Sequence, residues 1–109
     1  MIKGDMNYNL IYTRGDTLAI EYELESYKLQ QGDIATFSIK QKGRVVLDAT
    51  IKTPGLSKLL FVISAEDMAK LPVGKYTYDM YIKFADGGIV YSVDYMREFR
   101  IVEVAHELL

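Results

Sequence analysis

Hydrophobic and polar residues alternate with a period of two along much of the chain, which is the pattern of half-buried β-strands. The clearest segments are 18–25 and 75–84, where one set of alternate positions is apolar and the other is mostly polar or charged. In the first segment the charged set consists of Glu21, Glu23 and Glu25. A helical period would not separate the two sets in this way. Both segments are therefore predicted to be strands.

The same pattern predicts a set of shorter strands. They cover residues 7–13, 34–42, 44–52, 57–64, 89–93 and 99–104. The first of these is expected at a sheet edge. Gly43 separates two of the segments and predicts a hairpin. The turn Asp86-Gly87-Gly88 predicts another reversal, since glycine tolerates positive φ in tight turns.

One helical turn is predicted between two strands. Ser64-Ala65-Glu66-Asp67 has the spacing of a capping box, in which the serine hydroxyl accepts a hydrogen bond from a backbone amide. A turn over residues 65–71 would then end at Pro72 and Gly74.

About seven short strands with intervening turns predict a sandwich or a small barrel. The segment 71–78 favours a sandwich, because it resembles a tyrosine corner, in which a tyrosine hydroxyl bonds to the backbone just upstream. Tyr76 is the candidate, and the alternative is that it packs as one more inward aromatic. We predict an all-β, immunoglobulin-like β-sandwich of about seven antiparallel strands, as a single domain over residues 1–109 with its structured part at about 7–104. The predicted core residues are Phe37, Ile39, Phe61, Met80 and Ile82.

Composition narrows the possible functions. Thirteen basic residues are spread among fifteen acidic ones, for a net charge of −2, and without a basic cluster nucleic acid is not an expected partner. The absence of cysteine excludes disulfides and thiolate chemistry. The longest apolar run, 59–63, is far shorter than a membrane helix, so no membrane insertion is expected. The N-terminal segment also lacks the apolar core of a signal peptide, which predicts synthesis in the cytoplasm.

No residue pattern predicts catalysis. His106 is the sole histidine and follows the last predicted strand, where nothing orients it as a general base. Glu21, Glu23 and Glu25 could suggest calcium, but carboxylates along a flat strand do not converge on one ion, so a solvated face is the preferred interpretation. We therefore predict no catalytic residue, no metal site and no cofactor.

Arg14-Gly15-Asp16 matches an adhesive tripeptide, but a turn between two strands explains the same residues. The turn is the preferred interpretation.

The candidate interface residues come from apolar positions that alternation places on the outer face. If Leu59, Phe61 and Ile63 point inward, Leu60 and Val62 point outward, and an apolar outer face is often covered by a partner. The alternative is that a loop or the helical turn covers them. Val102 and Val104 raise the same question, and Tyr81 is the outward aromatic best placed for an interface. The candidate interface set is Leu60, Val62, Tyr81, Val102 and Val104.

The order of these motifs resembles one known family. Thr13-Arg14-Gly15-Asp16-Thr17 precedes an early strand, Leu71-Pro72-Val73-Gly74-Lys75-Tyr76-Thr77-Tyr78-Asp79 leads into a late one, and Asp86-Gly87-Gly88 follows. This order is similar to the immunoglobulin-like N-terminal domain of phage baseplate upper proteins and related tail proteins of Gram-positive phages and prophages. The resemblance covers residues 10–104. The larger family members also carry coiled-coil or receptor-binding segments, which this sequence lacks, so direct host recognition is not expected.

The resemblance implies a non-enzymatic structural protein of a phage or prophage tail or baseplate, located in the virion. Its partners would be other tail or baseplate proteins or further copies of itself. The alternative is a carbohydrate-binding or adhesive β-sandwich module, for which exposed tyrosines such as Tyr27, Tyr81 and Tyr95 would provide the binding platform.

Overall fold

The structure is a computed structural model and describes residues 2–4, 10–91 and 96–103. These residues form nine strands and one short helix. In chain order the elements are β1 (Ile2–Gly4), β2 (Leu10–Thr13), β3 (Leu18–Glu23), β4 (Ile34–Gln41), β5 (Arg44–Ile51), β6 (Lys58–Ile63), α1 (Ala65–Met68), β7 (Gly74–Lys83), β8 (Ile89–Tyr91) and β9 (Arg97–Val102).

The strands form two sheets that pack as an all-β sandwich, as predicted. In the large sheet, β1, β2, β9, β7, β4 and β5 are neighbours in that order, and β8 pairs with the far end of β7. β3 and β6 form the small sheet. The pairing of β2 with β9 is parallel, whereas the other described pairs are antiparallel. Periodicity did not predict β1, and because β1 pairs with β2, the prediction that the strand at 7–13 lies at an edge is wrong.

The predicted hairpin around Gly43 is confirmed by β4 and β5. Lys42 and Gly43 both have positive φ, 53° and 78°, which is the requirement of a type I′ turn whose twist matches that of the strands. The register shifts after Ile39, where a bulge adds one residue to β5.

The predicted helical turn is confirmed, in a shorter form. The Ser64 hydroxyl accepts a hydrogen bond from the Asp67 amide at 3.1 Å, as expected for an N-cap. α1 ends at Met68, which is buried in the core. None of the described residues forms a helix long and apolar enough to cross a membrane.

The core lies between the two sheets and is rich in aromatic rings. All five predicted core residues are buried. The Phe37 ring lies 6.0 Å from that of Phe61 and 5.6 Å from that of Tyr78, so it joins the small sheet to the centre of the large one. These separations are typical of favourable aromatic pairs.

The predicted tyrosine corner is present. The Tyr76 hydroxyl donates a hydrogen bond of 2.6 Å to the Pro72 carbonyl, four residues upstream. Tyr76 is also buried. Its ring therefore packs inward, as the alternative interpretation expected, while its hydroxyl forms the corner bond. The corner fixes where the chain enters β7.

Candidate functional site

The outer face of the small sheet carries the exposed apolar pair that the sequence predicted. In β6, Leu59, Phe61 and Ile63 are buried, whereas Leu60 is 53% exposed and Val62 is 52% exposed. Neither α1 nor a described loop covers the pair, which argues against the alternative of an internal cover.

Cross-strand pairing sets the surroundings of these two residues. On β3, Ala19 lies beside Val62, Glu21 beside Leu60, and Glu23 beside Lys58. All three β3 residues are exposed. We call this surface the small-sheet face; it consists of Ala19, Glu21, Glu23, Lys58, Leu60 and Val62. It is an apolar centre with carboxylates along one side.

The structure does not group the other candidate interface residues with this face. Val102 is 3% exposed, so the prediction that it presents an apolar outer surface is wrong. Val102 ends β9 against the turn after β2: Thr13 lies beside it, and the Arg14 amide donates to its carbonyl at 2.9 Å, a contact that alternation within β9 cannot show. Val104 lies outside the described residues, as does His106.

Tyr81 is half-buried on the outer face of the large sheet. Its register partners are Thr36 on β4 and Tyr91 on β8. Tyr81 is therefore on the side of the sandwich opposite to Leu60 and Val62. Tyr95 lies outside the described residues.

A buried ion pair occupies the middle of this outer face. The Asp79 carboxylate is fully buried, and the Lys40 ammonium lies 2.6 Å from its Oδ2. The Met96 amide donates to Oδ1 of the same carboxylate. Alternation predicted an outward Asp79, but the partner lysine and the backbone preceding β9 close over it. The pair holds the start of β9 against β7.

Next to this pair lies a cleft of about 300 Å³. Its charged or polar lining includes Lys40, Lys42, Lys75, Thr77 and Glu98, and Met96 adds an apolar side chain that is 58% exposed. We call it the basic cleft. Asp79 offsets the charge of Lys40, and Glu98 offsets one of the two remaining lysines, so the cleft has one excess positive charge. Sequence reasoning missed it because its residues come from β4, β7 and the start of β9.

A second carboxylate is used to anchor a loop. Asp33 is buried and accepts hydrogen bonds from the Tyr27 hydroxyl, the Gln30 amide at 2.8 Å and the Ala85 amide at 3.1 Å. The bond to Tyr27, followed by that from Gln30, lowers the pKa of Asp33. The same bond to Asp33 raises the pKa of Tyr27 to about 12. These hydrogen bonds hold the loop after β3 against the turn after β7, so the Asp33 carboxylate stabilises the fold.

The arginine of the Arg14-Gly15-Asp16 motif is engaged within the fold. Its guanidinium donates to the carbonyls of Leu71 at 2.8 Å and Ala69 at 3.2 Å. Gly15 has φ of 98°, which fits the predicted turn. These contacts support the interpretation of the motif as a structural turn.

Metal binding finds no support in the part of the chain that the structure describes. Within residues 2–4, 10–91 and 96–103, no three His, Asp or Glu side chains lie close enough to hold an ion. Glu21 and Glu23 are exposed on the small-sheet face, as predicted for a solvated strand face.

Further exposed apolar side chains were not predicted. They are Val45, Val46, Leu56, Val73, Ile89, Val90 and Met96. Val45-Val46 and Ile89-Val90 are adjacent apolar residues within strands, so one member of each pair must point outward. The same alternation of inward and outward side chains predicted the exposure of Leu60 and Val62, and it also predicts an outward residue in each of these pairs.

Comparisons with known proteins found no matching family model, no matching curated protein and no matching solved structure.

Proposed function

We propose that this protein is a non-enzymatic structural component of a phage or prophage tail or baseplate that works through protein–protein contacts. The observation that carries the proposal is the exposed pair Leu60 and Val62 at the centre of the small-sheet face. Two neighbouring branched side chains, each half exposed, lose water-accessible apolar area when a partner covers them, which favours association.

The family part of the proposal rests on the resemblance in motif order. Several local features support an immunoglobulin-like sandwich. The segment 13–17 turns into β3, Tyr76 forms a tyrosine corner with Pro72, and the turn at 86–88 joins β7 to β8. Such sandwiches host many functions, so the placement in a tail or baseplate is tested separately below.

The contact surface is tested by measuring molar mass with size-exclusion chromatography and light scattering over a concentration series. The wild-type mass should rise with concentration. Leu60→Asp and Val62→Asp should remain monomeric and folded, because burying a new carboxylate in an interface is unfavourable. Val90→Asp, an exposed apolar position on β8, is the matched control and should associate like the wild type. Wild-type protein that stays monomeric throughout, or variants that unfold, would contradict the proposal of self-association through this face.

The virion assignment has its own test. Phage or tail particles from the source strain would be purified on a density gradient after prophage induction and examined by quantitative mass spectrometry. The protein should copurify with the particles at a fixed ratio to other tail proteins. A protein found only in the soluble cell fraction would contradict the assignment.

A second candidate function, carbohydrate binding, is favoured by one observation. A shallow depression of about 540 Å³ is lined by Leu24, Tyr27, Lys28, Gln30 and other polar residues. An aromatic ring beside amide and ammonium donors suits a sugar ring. Titration with a panel of mono- and oligosaccharides, followed by NMR, should shift signals of Tyr27 and Gln30. No shift at millimolar sugar would exclude this candidate.

A further inference from the structure

The two outer surfaces of the sandwich carry opposite charges. On the small-sheet face, Glu21 and Glu23 are exposed on β3, and Lys58 is the one basic residue of the set. On the opposite surface, around the basic cleft, Lys42, Lys75 and Arg100 are exposed. The small-sheet face therefore has an excess of one negative charge, and the basic cleft with the adjoining Arg100 has an excess of positive charge even with Glu98 in its lining.

The register shows that the positive charges lie side by side. Lys75 of β7 pairs directly with Arg100 of β9, and both point away from the core because their strand neighbours Tyr76 and Ile101 point into it. Like charges directly opposite each other on a sheet are destabilising within one molecule. A negative partner surface would remove that repulsion.

The apolar groups of the two surfaces also correspond. Leu60 and Val62 are exposed on the small-sheet face, and the basic cleft contains the exposed Met96 side chain. Methionine adapts its shape to a partner, and lysine stems such as that of Lys75 cover apolar surface while the ammonium stays at the rim.

We propose that the basic cleft and the adjoining Arg100 bind the small-sheet face of a second copy of this chain. The small-sheet face of one copy then contacts the opposite surface, or back, of the next, which is a face-to-back contact. This inference rests on the proposed function and specifies the partner of its contact surface. Leu60 and Val62 of one copy would pack against Met96 of the next, with Glu21 and Glu23 near Lys75 and Arg100.

A face-to-back contact fits the charges better than a symmetric one. If two small-sheet faces met each other, Glu21 and Glu23 of both copies would be brought together, and like charges across an interface oppose association. In the face-to-back arrangement unlike charges meet. Such a contact is heterologous, so repeating it produces a closed ring or an open filament.

Two charge-reversed variants test the arrangement. Glu21→Lys/Glu23→Lys makes both surfaces of one variant basic, and Lys75→Glu/Arg100→Glu makes both surfaces of the other acidic. All four positions are exposed strand residues, so circular dichroism should show unchanged folds. Each variant alone should self-associate at least about tenfold more weakly than the wild type at low salt. An equimolar mixture should form a hetero-complex, and salt should weaken it.

The readout is sedimentation velocity, with one variant fluorescently labelled. A hetero-complex formed only in the mixture supports the proposal. If the wild type associates but the mixture does not, the face-to-back contact is wrong while the proposed contact role of Leu60 and Val62 stands. If the acidic variant associates as well as the wild type, the basic cleft is not the receiving surface. If Leu60→Asp leaves wild-type association unchanged, both this inference and the proposed contact surface are wrong.

Discussion

Tyrosine hydroxyls fasten three turns of this protein to the strands beside them. The hydroxyl of Tyr12 donates to the Asp16 carbonyl, that of Tyr76 to the Pro72 carbonyl, and that of Tyr27 to the Asp33 carboxylate. In each case the ring lies against the core while the hydroxyl satisfies a polar group at its edge. Burial raises the pKa of both Tyr12 and Tyr76. The nine tyrosines therefore include several with a structural task.

Replacing Tyr76 by phenylalanine should remove the corner bond while keeping the ring. We expect the free energy of unfolding to fall by about 1 kcal/mol, because the Pro72 carbonyl loses its donor. Urea denaturation followed by circular dichroism measures the change. Tyr81→Phe makes the same substitution at a half-buried tyrosine outside the corner, and its free energy of unfolding is the value for comparison. Equal stability of Tyr76→Phe and the wild type would show that the bond contributes nothing net.

The Tyr27–Asp33 pair should make stability depend on pH at both extremes. The bond to Asp33 raises the pKa of Tyr27 from 10.0 to about 12, so its stabilisation is complete below pH 10 and is lost as the pH rises towards 12. The pKa of Asp33 is lowered, so its stabilisation is present above the unfolded value of 3.8 and is lost as the pH falls through the lower, folded value. Tyr27→Phe should flatten the alkaline limb of a curve of unfolding free energy against pH. An unchanged alkaline limb would contradict the assignment.

At the scale of elements, the two-stranded sheet depends on the large one for its stability. An isolated pair of strands is marginal in water, so β3 and β6 must bury their inner residues against β4 and β7. Phe61 provides the central contact, with its ring 5.9 Å from that of Tyr22 and 6.0 Å from that of Phe37.

Truncating Phe61 to alanine should therefore cost about 3–5 kcal/mol, a large share of the stability of a domain of this size. Leu60→Ala is the matched control on the same strand, and it should change stability by less than about 0.5 kcal/mol because Leu60 faces outward. Chemical denaturation of both variants gives the comparison. Similar losses for the two residues would show that β6 is oriented differently from the structure.

Alternation predicted most strands and the orientation of Leu60, because the side-chain period within one strand is a local property. It failed where burial depends on another element. Asp79 alternates outward yet is covered by Lys40 and the backbone at Met96, and Val102 is buried at the end of β9, beside the turn after β2. The basic cleft could not be predicted for the same reason, since only the folded sheet brings Lys42, Lys75 and Met96 together.

At the scale of the whole molecule, shape and charge together determine how copies could stack. The molecule measures 43 × 24 × 24 Å with a radius of gyration of 14.2 Å. Six neighbouring strands at a spacing of about 4.8 Å span about 24 Å, so the long axis runs along the strands and the sheet normal is a short axis. The small-sheet face and the outer face of the large sheet, which carries Lys75 and Arg100, are the two surfaces on opposite sides of the sandwich along that axis. Face-to-back stacking therefore brings centres of mass as close as the shape allows.

Small-angle X-ray scattering should distinguish association across a short axis from end-to-end association. With centres about 24 Å apart, a face-to-back pair should have a radius of gyration of about 19 Å, whereas an end-to-end pair at about 43 Å should give about 26 Å. We expect a wild-type value of about 19 Å at low salt and at the concentration where light scattering gives the mass of two copies, and a Leu60→Asp value close to that of one copy. Because screening weakens contacts between unlike charges, added salt should return the wild type to the single-copy value. For a species whose mass by light scattering is that of two copies, a value of about 26 Å would place the contact at the ends of the strands and contradict the stacking.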